Sequence, residues 1–323
     1  MVKAIRVHQT GGPEALIYED VELAAPGPGE VQIRQHAIGV NFIDVYFRAG
    51  AYPAPTPFIP GNEGAGEIVA LGEGVTGFKV GDRVAYAGAL GAYASVRNIE
   101  SKFVVSLPAS VSFETAAAMM LKGLTAEYLL FRSYPVKPGD IVLVHAAAGG
   151  VGLILCQWAR LLGATVIGTV GNEEKARLAR EAGAHHTILY RSEDWVARVR
   201  EITDGKLCHV VYDGVGKATF PGSLDCLRPF GSFISFGSSS GSIEAFNIGL
   251  LAQKGSLYAQ RPSLFAYVAD EARMREMAAR LMDVVGSGKV KIAIHARYPL
   301  AEAANAHRAL EGRETTVATV LLP

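Results

Sequence analysis

The stretch HAAAGGVG, His145 to Gly152, directly follows the apolar run IVLV and directly precedes the amphipathic run LILCQWARLLG. This order predicts a buried strand, a tight turn of small residues and a helix. The spacing Ala147-x-Gly149-x-x-Gly152 matches the G-x-G-x-x-G pattern of dinucleotide-binding turns, with alanine in the first place. In that pattern the three positions provide a tight turn, close approach of a pyrophosphate to the backbone, and close packing of helix on strand. We therefore predict that the N–H groups and positive helix end of this turn hold the phosphates of a dinucleotide.

The sequence beyond this turn alternates regularly between strand-like and helical segments. The strand-like runs TVIGTV, HTILY, HVVYD and FISFG are separated by helical segments such as EEKARLAREAGA and SEDWVARVREIT. A further strand-like run, SLYAQ, ends at residue 260. Such alternation is typical of βαβ units and predicts a doubly wound parallel sheet with a nucleotide-binding crevice.

The first 110 residues have a different pattern. Short β-rich runs such as VQIRQHAIGV and AGEIVALG are separated by glycine- and proline-rich loops, and the first strand begins at the N-terminus. Helical sequence begins after Ser112, and the alternating run TVATVLL near the C-terminus predicts a strand that rejoins this β-rich part. We therefore expect an α/β protein with two domains, residues 1–125 with 266–323 and residues 126–265.

Composition limits the classes of partner. The 323 residues include 31 Lys and Arg and 31 Asp and Glu, so the net charge gives no basis for a nucleic-acid surface. The three cysteines, Cys156, Cys208 and Cys226, lie far apart in apolar segments, which predicts buried thiols in a reducing compartment. The N-terminus lacks signal-peptide features and no run is apolar enough to span a bilayer, so we expect a cytoplasmic protein that acts on a small molecule.

The end of the second strand of the parallel sheet indicates which dinucleotide binds. Enzymes that use NAD carry an acidic residue there for the ribose 2′-hydroxyl, whereas this strand ends at Gly171 without a carboxylate. Lys175 lies one helical turn further and can meet a 2′-phosphate as a cation, and Tyr190 ends the third strand. We therefore expect NADPH as the cofactor, although Lys175 could also be an ordinary solvated lysine.

Over its full length the chain resembles the medium-chain dehydrogenase/reductase superfamily, and within it the zinc-free, zeta-crystallin-like quinone oxidoreductases. The resemblance rests on GVNFIDVYFRAGAY, PGNEGAGEIVALGEGV, GDRVAY, MLKGLTAEYLL, AAAGGVG, VVYDGVG, ISFGSSSG and KGSLYAQRPSL. It implies a GroES-like β-rich catalytic domain, a Rossmann NADPH-binding domain, and a homodimer that pairs nucleotide-domain edge strands through SLYAQ.

The resemblance also implies that no metal is bound. Zinc alcohol dehydrogenases of this superfamily have a cysteine at the position of Asn41 and a histidine at the position of Asn62. Amides do not replace a thiolate and an imidazole, and three scattered cysteines cannot form a four-cysteine zinc lobe.

Family members place NFIDVY and the loop through Tyr52 at the nicotinamide and substrate. On that basis we expect Asn41, Tyr46 and Tyr52 to be catalytic, although Tyr52 could simply pack on its proline-rich loop. We expect Asp44 to satisfy the backbone of its own loop rather than to act as an acid. The expected cofactor contacts are Asn41, Tyr128, Gly149, Gly150, Val151, Gly152, Gly171, Lys175, Tyr190, Phe236, Gly237, Ser238, Ser239 and Arg313.

Hydride transfer without a Lewis acid requires an acceptor that is already electrophilic. Quinones meet this need, so we expect an NADPH-dependent quinone oxidoreductase. The alternative is an NADPH-dependent reductase of conjugated enals, enones or enoyl thioesters, although Arg48 is the only cation in the 41–60 region for a carrier phosphate. A non-catalytic crystallin-like or nucleic-acid-binding role is less favoured, because the dinucleotide turn is intact.

Overall fold

The computed structural model describes residues 1–312 and 317–323. These residues form two compact units. The first consists of Met1–Leu124 and Tyr267–Pro323, and the second of Thr125–Ala266.

The strands and helices are numbered in chain order. The strands are β1 (Val2–Arg6), β2 (Ile17–Val21), β3 (Glu30–Val40), β4 (Glu63–Leu71), β5 (Arg83–Ala87), β6 (Val96–Glu100), β7 (Val104–Ser106), β8 (Ile141–Val144), β9 (Thr165–Val170), β10 (His186–Leu189), β11 (Cys208–Asp213), β12 (Leu227–Ser235), β13 (Tyr258–Gln260), β14 (Ile294–Pro299) and β15 (Ala318–Leu322). The helices are α1 (Phe42–Arg48), α2 (Phe113–Tyr128), α3 (Gly150–Leu161), α4 (Glu173–Glu181), α5 (Trp195–Ile202), α6 (Gly222–Asp225), α7 (Gly249–Gln253), α8 (Leu264–Val268), α9 (Glu271–Gly286) and α10 (Ala303–Glu311).

The first unit is built on a mainly antiparallel sheet in the order β14-β15-β3-β4-β5-β7, with β6 also pairing with β3. The long central strand β3 alternates buried and more exposed residues along its first half and is buried throughout its last four residues. Its buried side chains, such as Ile33 and Ile38, join Ile68 and Tyr86 in one hydrophobic core. Strand β15 pairs antiparallel with β3 and parallel with β14, so the predicted return of the C-terminal strand to the β-rich part is confirmed.

The second unit contains a parallel sheet in the order β10-β9-β8-β11-β12-β13. Helices connect its strands, and buried residues such as Leu143, Ile167 and Val211 form its core. This is the doubly wound order in which the chain reverses direction across the sheet between its first and fourth strands, here β8 and β11. The predicted α/β fold class is confirmed, and the carboxyl ends of β8 and β11 mark the crevice where ligands bind in such sheets.

No helix within residues 1–312 and 317–323 has the length and apolar character needed to cross a membrane.

Candidate active site

The turn between β8 and α3 exposes backbone at the end of a buried strand. Gly149 is the N-cap of α3 and provides no side-chain cap. Gly149, Gly150 and Val151 are half-buried, whereas Gly152 is buried. Because the first N–H groups of a helix have no intrahelical acceptor, this end of α3 presents hydrogen-bond donors and a positive partial charge to an anion.

The two glycines of the turn differ in the space around them. A Cβ at Gly152 would collide with the carbonyl oxygen of Ala146 and lie 2.8 Å from the backbone of Ala147, so α3 packs too closely on the turn to admit a side chain. A Cβ at Gly149 would meet the same carbonyl oxygen at 3.1 Å, with nothing else within 4 Å. The open side of Gly149 and the packed side of Gly152 are the arrangement that a pyrophosphate-binding turn requires.

The alanine in the first motif position is accommodated by a glycine on the neighbouring strand. Ala146, directly before the first motif position, has a left-handed backbone with φ of 52°, and the tight turn was expected near this place. Ala147 is fully buried, and a Cβ at Gly168 of β9 would lie 2.6 Å from the Cβ of Ala147. The methyl group of Ala147 therefore occupies the space that Gly168 leaves.

A buried polar network lies directly before the turn. His145 Nδ1 lies 2.8 Å from Thr169 Oγ1, and its Nε2 lies 3.1 Å from Ser223 Oγ. The Ser223 hydroxyl donates to Asp213 Oδ2 at 2.9 Å. Burial lowers the pKa of His145, so the imidazole is neutral and ties together the carboxyl ends of β8, β9 and β11. Sequence reasoning assigned no role to these residues, because nothing in their spacing signals a shared network.

The carboxyl end of β9 brings together the groups expected at the ribose. Asn172 caps α4 by accepting a hydrogen bond from the N–H of Lys175 at 2.9 Å, which places Lys175 in the first turn of that helix. A Cβ at Gly171 would lie 3.0 Å from the Tyr190 hydroxyl and 3.6 Å from Arg191 Nε. Arg191 is exposed and is a second cation here that the sequence analysis missed. Its position next to Tyr190 in the sequence was the available signal.

The residues expected beyond the fifth strand of the second unit follow β12. The Phe236 N–H donates to the Asp213 carbonyl at 2.8 Å, and a Cβ at Gly237 would lie 2.6 Å from the carbonyl oxygen of Gly214. Ser238 is half-buried and Ser239 is exposed. The segments after β11 and β12 therefore pack closely at the edge of the sheet where ligands bind.

The expected cofactor contacts also include Tyr128 and Arg313. Tyr128 is the last residue of α2 and only 2% exposed. Arg313 lies outside the described residues.

In the first unit, Asp44 lies in a helix and not in the loop that was expected for it. Helix α1 begins after Asn41, and the Asp44 carboxylate accepts a hydrogen bond from the backbone N–H of Asn41 at 2.9 Å. This reciprocal contact between the N-cap and the third helical residue is a capping box. Asp44 does satisfy local backbone, as expected, but at a helix N-terminus.

Tyr46 and Tyr52 lie close together. Their ring centroids are 5.4 Å apart, and Tyr52 also meets the edge of Phe47 at 5.6 Å. The N–H of Tyr52 donates to the carbonyl of Tyr46 at 3.1 Å, which fixes the chain after α1. Both tyrosines are half-buried, so each combines a packed ring with some exposure to solvent.

The side chain of Asn41 shares a buried carboxylate with Lys122. Asn41 Nδ2 donates to Glu63 Oε1 at 2.7 Å, and Lys122 Nζ donates to the same oxygen at 2.9 Å. The Leu121 N–H donates to Glu63 Oε2 at 2.7 Å. The Glu63 side chain is fully buried, so three donors replace the water that a carboxylate would otherwise bind. Glu63 and Lys122 stand within motifs of the family resemblance, but sequence reasoning gave neither a role.

A second buried carboxylate, Asp44, ends a chain of donors that begins at Arg48. Asn62 Nδ2 donates to Asp44 Oδ1 at 2.8 Å, and the Tyr93 hydroxyl donates to Asp44 Oδ2 at 3.2 Å. His307 Nε2 lies 2.9 Å from the Tyr93 hydroxyl. Complete burial raises the pKa of Asp44 to about 7, although the hydrogen bonds from Asn62 and Asn41 oppose this rise.

The Arg48 guanidinium fixes the tautomer of His307. Arg48 Nη1 lies 3.2 Å from His307 Nδ1, and because an arginine only donates, the histidine proton must be on Nε2 and point toward Tyr93. Burial and the Arg48 charge lower the pKa of His307 to about 3, which keeps the ring neutral. Arg48 also makes a bidentate ion pair with Glu311, with N–O distances of 2.8 and 2.9 Å.

Asn41 and Asn62 stand at the two positions to which the family resemblance assigns zinc ligands. The amide nitrogens of Asn41 and Asn62 donate to Glu63 and Asp44. Asn62 Oδ1 is buried and has no hydrogen-bond partner among the described residues. Over residues 1–312 and 317–323, no three His, Cys, Asp or Glu side chains are grouped to hold a metal ion.

The three cysteines are free and buried, as predicted. Burial raises the pKa of Cys156 and of Cys208 to about 12, so these thiols are not nucleophiles near neutral pH.

Family models match both parts of the chain. The model described as an alcohol dehydrogenase GroES-like domain covers residues 27–136, and the model described as a zinc-binding dehydrogenase covers residues 150–283. The second description names a metal, and the sequence has asparagines, Asn41 and Asn62, where the resemblance implies two of the zinc ligands.

Individual proteins match over the whole chain. A quinone oxidoreductase of Pseudomonas aeruginosa is 53% identical, with full coverage of both sequences. A 2-haloacrylate reductase of a Burkholderia species is 45% identical and covers all of this chain and 99% of that protein. The crystal structure of Escherichia coli quinone oxidoreductase complexed with NADPH superposes with a TM-score of 0.97 at 49% identity, covering 99% of this chain and all of the other.

Identity of this extent, together with the GroES-like and dehydrogenase matches and the doubly wound sheet, shows that the chain belongs to the quinone oxidoreductase family of the medium-chain dehydrogenase/reductase superfamily.

Proposed function

We propose that the protein transfers hydride from NADPH to quinones without a metal ion. The observation that carries this proposal is the turn from β8 to α3, where Gly149 leaves the backbone open and Gly152 lets the helix pack closely. The relatives named quinone oxidoreductase, and the Escherichia coli relative solved with NADPH, support the same activity.

The proposed NADPH-binding domain is residues 126–265. Gly149, Gly150, Val151 and Gly152 bind the pyrophosphate through N–H groups. Gly171, Lys175 and Tyr190 bind the adenosine ribose and its 2′-phosphate, and we include Arg191, because its Nε would lie 3.6 Å from a Cβ at Gly171. The further cofactor contacts that we propose are Tyr128, Phe236, Gly237, Ser238, Ser239 and Arg313.

The proposed catalytic domain is residues 1–125 with 266–323. Bound NADPH supplies the hydride, and Asn41 contacts its nicotinamide. Tyr46 and Tyr52 line the pocket for a flat acceptor ring, and the phenol of Tyr52 donates a hydrogen bond to the acceptor oxygen. The contact between the two rings supports this proposal, because centroids 5.4 Å apart bring both side chains within reach of one acceptor ring.

A second acceptor class is favoured by one relative. The name of the Burkholderia protein gives a conjugated acceptor, 2-haloacrylate, and that protein is 45% identical to this chain. Conjugated enals and enones accept hydride with the same geometry as quinones, so they form the alternative substrate class.

We further propose a homodimer formed through β13. This strand ends the parallel sheet, its three residues are exposed, and Tyr258 is 64% exposed. An exposed edge strand presents unpaired N–H and carbonyl groups that a second copy can pair with. The free, buried cysteines support a cytoplasmic location, where thiols stay reduced.

The test is NADPH oxidation by purified, chelator-treated protein. We expect oxidation with 1,4-benzoquinone, and much slower oxidation when NADH replaces NADPH. Turnover with a conjugated enone alone would move the assignment to the second acceptor class. NADPH binding without turnover of either acceptor would contradict the proposed activity.

A further inference from the structure

Lys122 is a buried cation next to Asn41, the residue proposed to contact the nicotinamide. Its Nζ and the amide nitrogen of Asn41 donate to the same oxygen of Glu63, at 2.9 and 2.7 Å. Asn41 stands where zinc alcohol dehydrogenases have a cysteine ligand. The ammonium group is therefore adjacent to the side chain that replaces a zinc ligand.

The ammonium group also keeps donor capacity. An ammonium has three N–H donors, and the described partners of Lys122 Nζ are Glu63 and, at 3.4 Å, the carbonyl of Val40. The third N–H has no partner among residues 1–312 and 317–323. The Lys122 side chain is 9% exposed, whereas the Glu63 side chain is fully buried, so Lys122 is the more accessible member of this ion pair.

The fold makes specific room for this pair. A Cβ at Gly39 of β3 would collide with Glu63 Oε1 and with the carbonyl oxygen of Ala117 in α2. Glu63 begins β4, and Lys122 projects from α2. Strands β3 and β4 and helix α2 therefore restrict the position of the Glu63 carboxylate, and that carboxylate holds the Lys122 ammonium in place.

Stabilisation of the fold is a weak explanation for the buried ion pair of Glu63 and Lys122. Burying two charges costs desolvation energy that their attraction rarely exceeds, so a buried ion pair is poor support for a stabilising role. Glu63 divides its two oxygens among Lys122, Asn41 and the Leu121 N–H, so it holds the ammonium in place without using all of its donors. The nearby acidic group Asp44 is in turn occupied by Asn41, Asn62 and Tyr93.

We propose that Lys122 is a catalytic residue whose ammonium stabilises the negative charge that develops on the acceptor oxygen, with Glu63 as its positioning residue. This inference rests on the proposed NADPH-dependent activity. Hydride transfer oxidises the reduced nicotinamide by two electrons and converts the quinone to a hydroquinone monoanion. The ammonium keeps its proton and donates a hydrogen bond to that anion, and water supplies the proton that completes the hydroquinone. A fixed cation beside the acceptor oxygen acts as the lost Lewis acid would, by stabilising charge where it forms.

The test compares three variants with the wild type. Lys122→Met removes the cation, Lys122→Arg keeps it, and the double variant Lys122→Met, Glu63→Gln removes the cation without leaving a buried unpaired carboxylate. The double variant guards against failure of Lys122→Met to fold. Lys254→Met, which removes a lysine paired with Asp225 in the second unit, is the matched control.

The measured quantities are kcat for a series of substituted 1,4-benzoquinones and the Kd for NADPH. We expect the double variant to lose kcat by about 10²–10³-fold, the effect typical of one oxyanion-stabilising donor, while the Kd for NADPH stays unchanged. The loss should be largest for methyl-substituted quinones, whose hydroquinone anions are most basic, and smallest for halogenated ones. Lys122→Arg should recover most of the rate, and Lys254→Met should match the wild type.

A merely structural role predicts a different pattern. Equal losses for all quinones, or wild-type kcat in the double variant, would overturn the assignment of Lys122. Failure of the wild-type enzyme to oxidise NADPH with any quinone would instead overturn the proposed activity, so the two failures are distinguishable.

Discussion

His307 Nε2 lies 2.9 Å from the hydroxyl of Tyr93, which itself donates to Asp44. One hydroxyl thus connects two groups whose pKa values are displaced in opposite directions, that of His307 down to about 3 and that of Asp44 up to about 7.

These opposite shifts predict that the pair contributes little net pH dependence to the stability of the first unit in mild acid. The stabilising contribution of neutral His307 is complete above its ordinary pKa of 6.5 and is lost as the pH falls toward 3. That of protonated Asp44 is complete below its ordinary pKa of 3.8 and is lost as the pH rises toward 7. Between pH 3.8 and pH 6.5, the two groups therefore change the free energy of unfolding in opposite directions as the pH rises.

Urea unfolding between pH 4 and pH 6.5 of single variants tests this compensation. His307→Gln removes the contribution of His307 and leaves only the pH dependence due to Asp44. The free energy of unfolding of this variant should therefore fall as the pH rises, by up to about 1.4 kcal/mol per pH unit. In Asp44→Asn it should rise with pH by a similar amount. The same pH profile in both variants would show that the two groups are not displaced in opposite directions.

The contact between Ala147 and Gly168 predicts a compensating pair of substitutions. Gly168→Ala places a second methyl group 2.6 Å from that of Ala147 and should reduce the free energy of unfolding by about 1–3 kcal/mol, with weaker NADPH binding. Ala147→Gly alone restores the common motif and should bind NADPH normally. The double variant should recover most of the stability, as measured by urea unfolding. Additive losses in the double variant would show that the two methyl groups do not compete for one space.

The cations near the end of β9 predict selectivity between NADPH and NADH. Lys175→Ala and Arg191→Ala should each weaken NADPH binding by about 10–100-fold, the effect of one charge-assisted hydrogen bond, and leave NADH binding nearly unchanged. Fluorescence titration with both cofactors measures this. Arg177→Ala is the control, because Arg177 lies on the same helix and pairs with Glu181. Equal losses for NADPH and NADH would show that these cations do not bind the 2′-phosphate.

The ring cluster of Tyr46, Phe47 and Tyr52 predicts that packing and chemistry can be separated at Tyr52. Tyr52→Phe keeps the ring contacts and should lower kcat with 1,4-benzoquinone about tenfold, the effect of one lost hydrogen bond worth about 1.4 kcal/mol. The Kd for NADPH should not change. Tyr52→Ala reports the packing contribution through urea unfolding. Wild-type kcat in Tyr52→Phe would leave this residue with a packing role alone.

The exposed strand β13 predicts that Tyr258→Asp weakens the homodimer. A charge on an edge strand opposes pairing with a second copy. Sedimentation analysis over a range of protein concentrations measures the shift toward monomer. Ile17→Asp is the control, because Ile17 is an exposed apolar residue, 44% accessible, on a strand of the first unit. An unchanged dimer in Tyr258→Asp would place the interface elsewhere.

The parallel sheet was predictable because its strands are continuous apolar runs. Strand β8 reads IVLV and β9 reads TVIGTV, and both lie where the sequence indicates. Helix α1 was missed because it is only seven residues long and its start depends on the reciprocal contact of Asn41 with Asp44, a pattern that resembles loop chemistry. The pattern predicts a tight turn near Ala147 but not which residue is left-handed, since nothing in AAA distinguishes Ala146 from Ala147.

The buried networks were not predictable from local patterns. Tyr93 and His307 are 214 positions apart, and Glu63 and Lys122 are 59 apart, so no sequence motif contains both members of either pair. Their meeting depends on the register of strands and the placement of α2 and α10. The family resemblance located Asn41, but only the geometry showed that its amide shares a carboxylate with a lysine.

Strand β15 lies between β14 and β3, and its order in the chain has a consequence for synthesis. The second unit is one continuous segment, whereas the first unit needs residues from both ends of the chain. On the ribosome, the second unit can close while the last three residues of β3 still lack their partner strand, and the sheet of the first unit is completed only when β15 emerges. The part of the chain made first is therefore the last to finish folding, and until then Ile38–Val40 of β3 present an unpaired edge that a nascent-chain chaperone would have to cover.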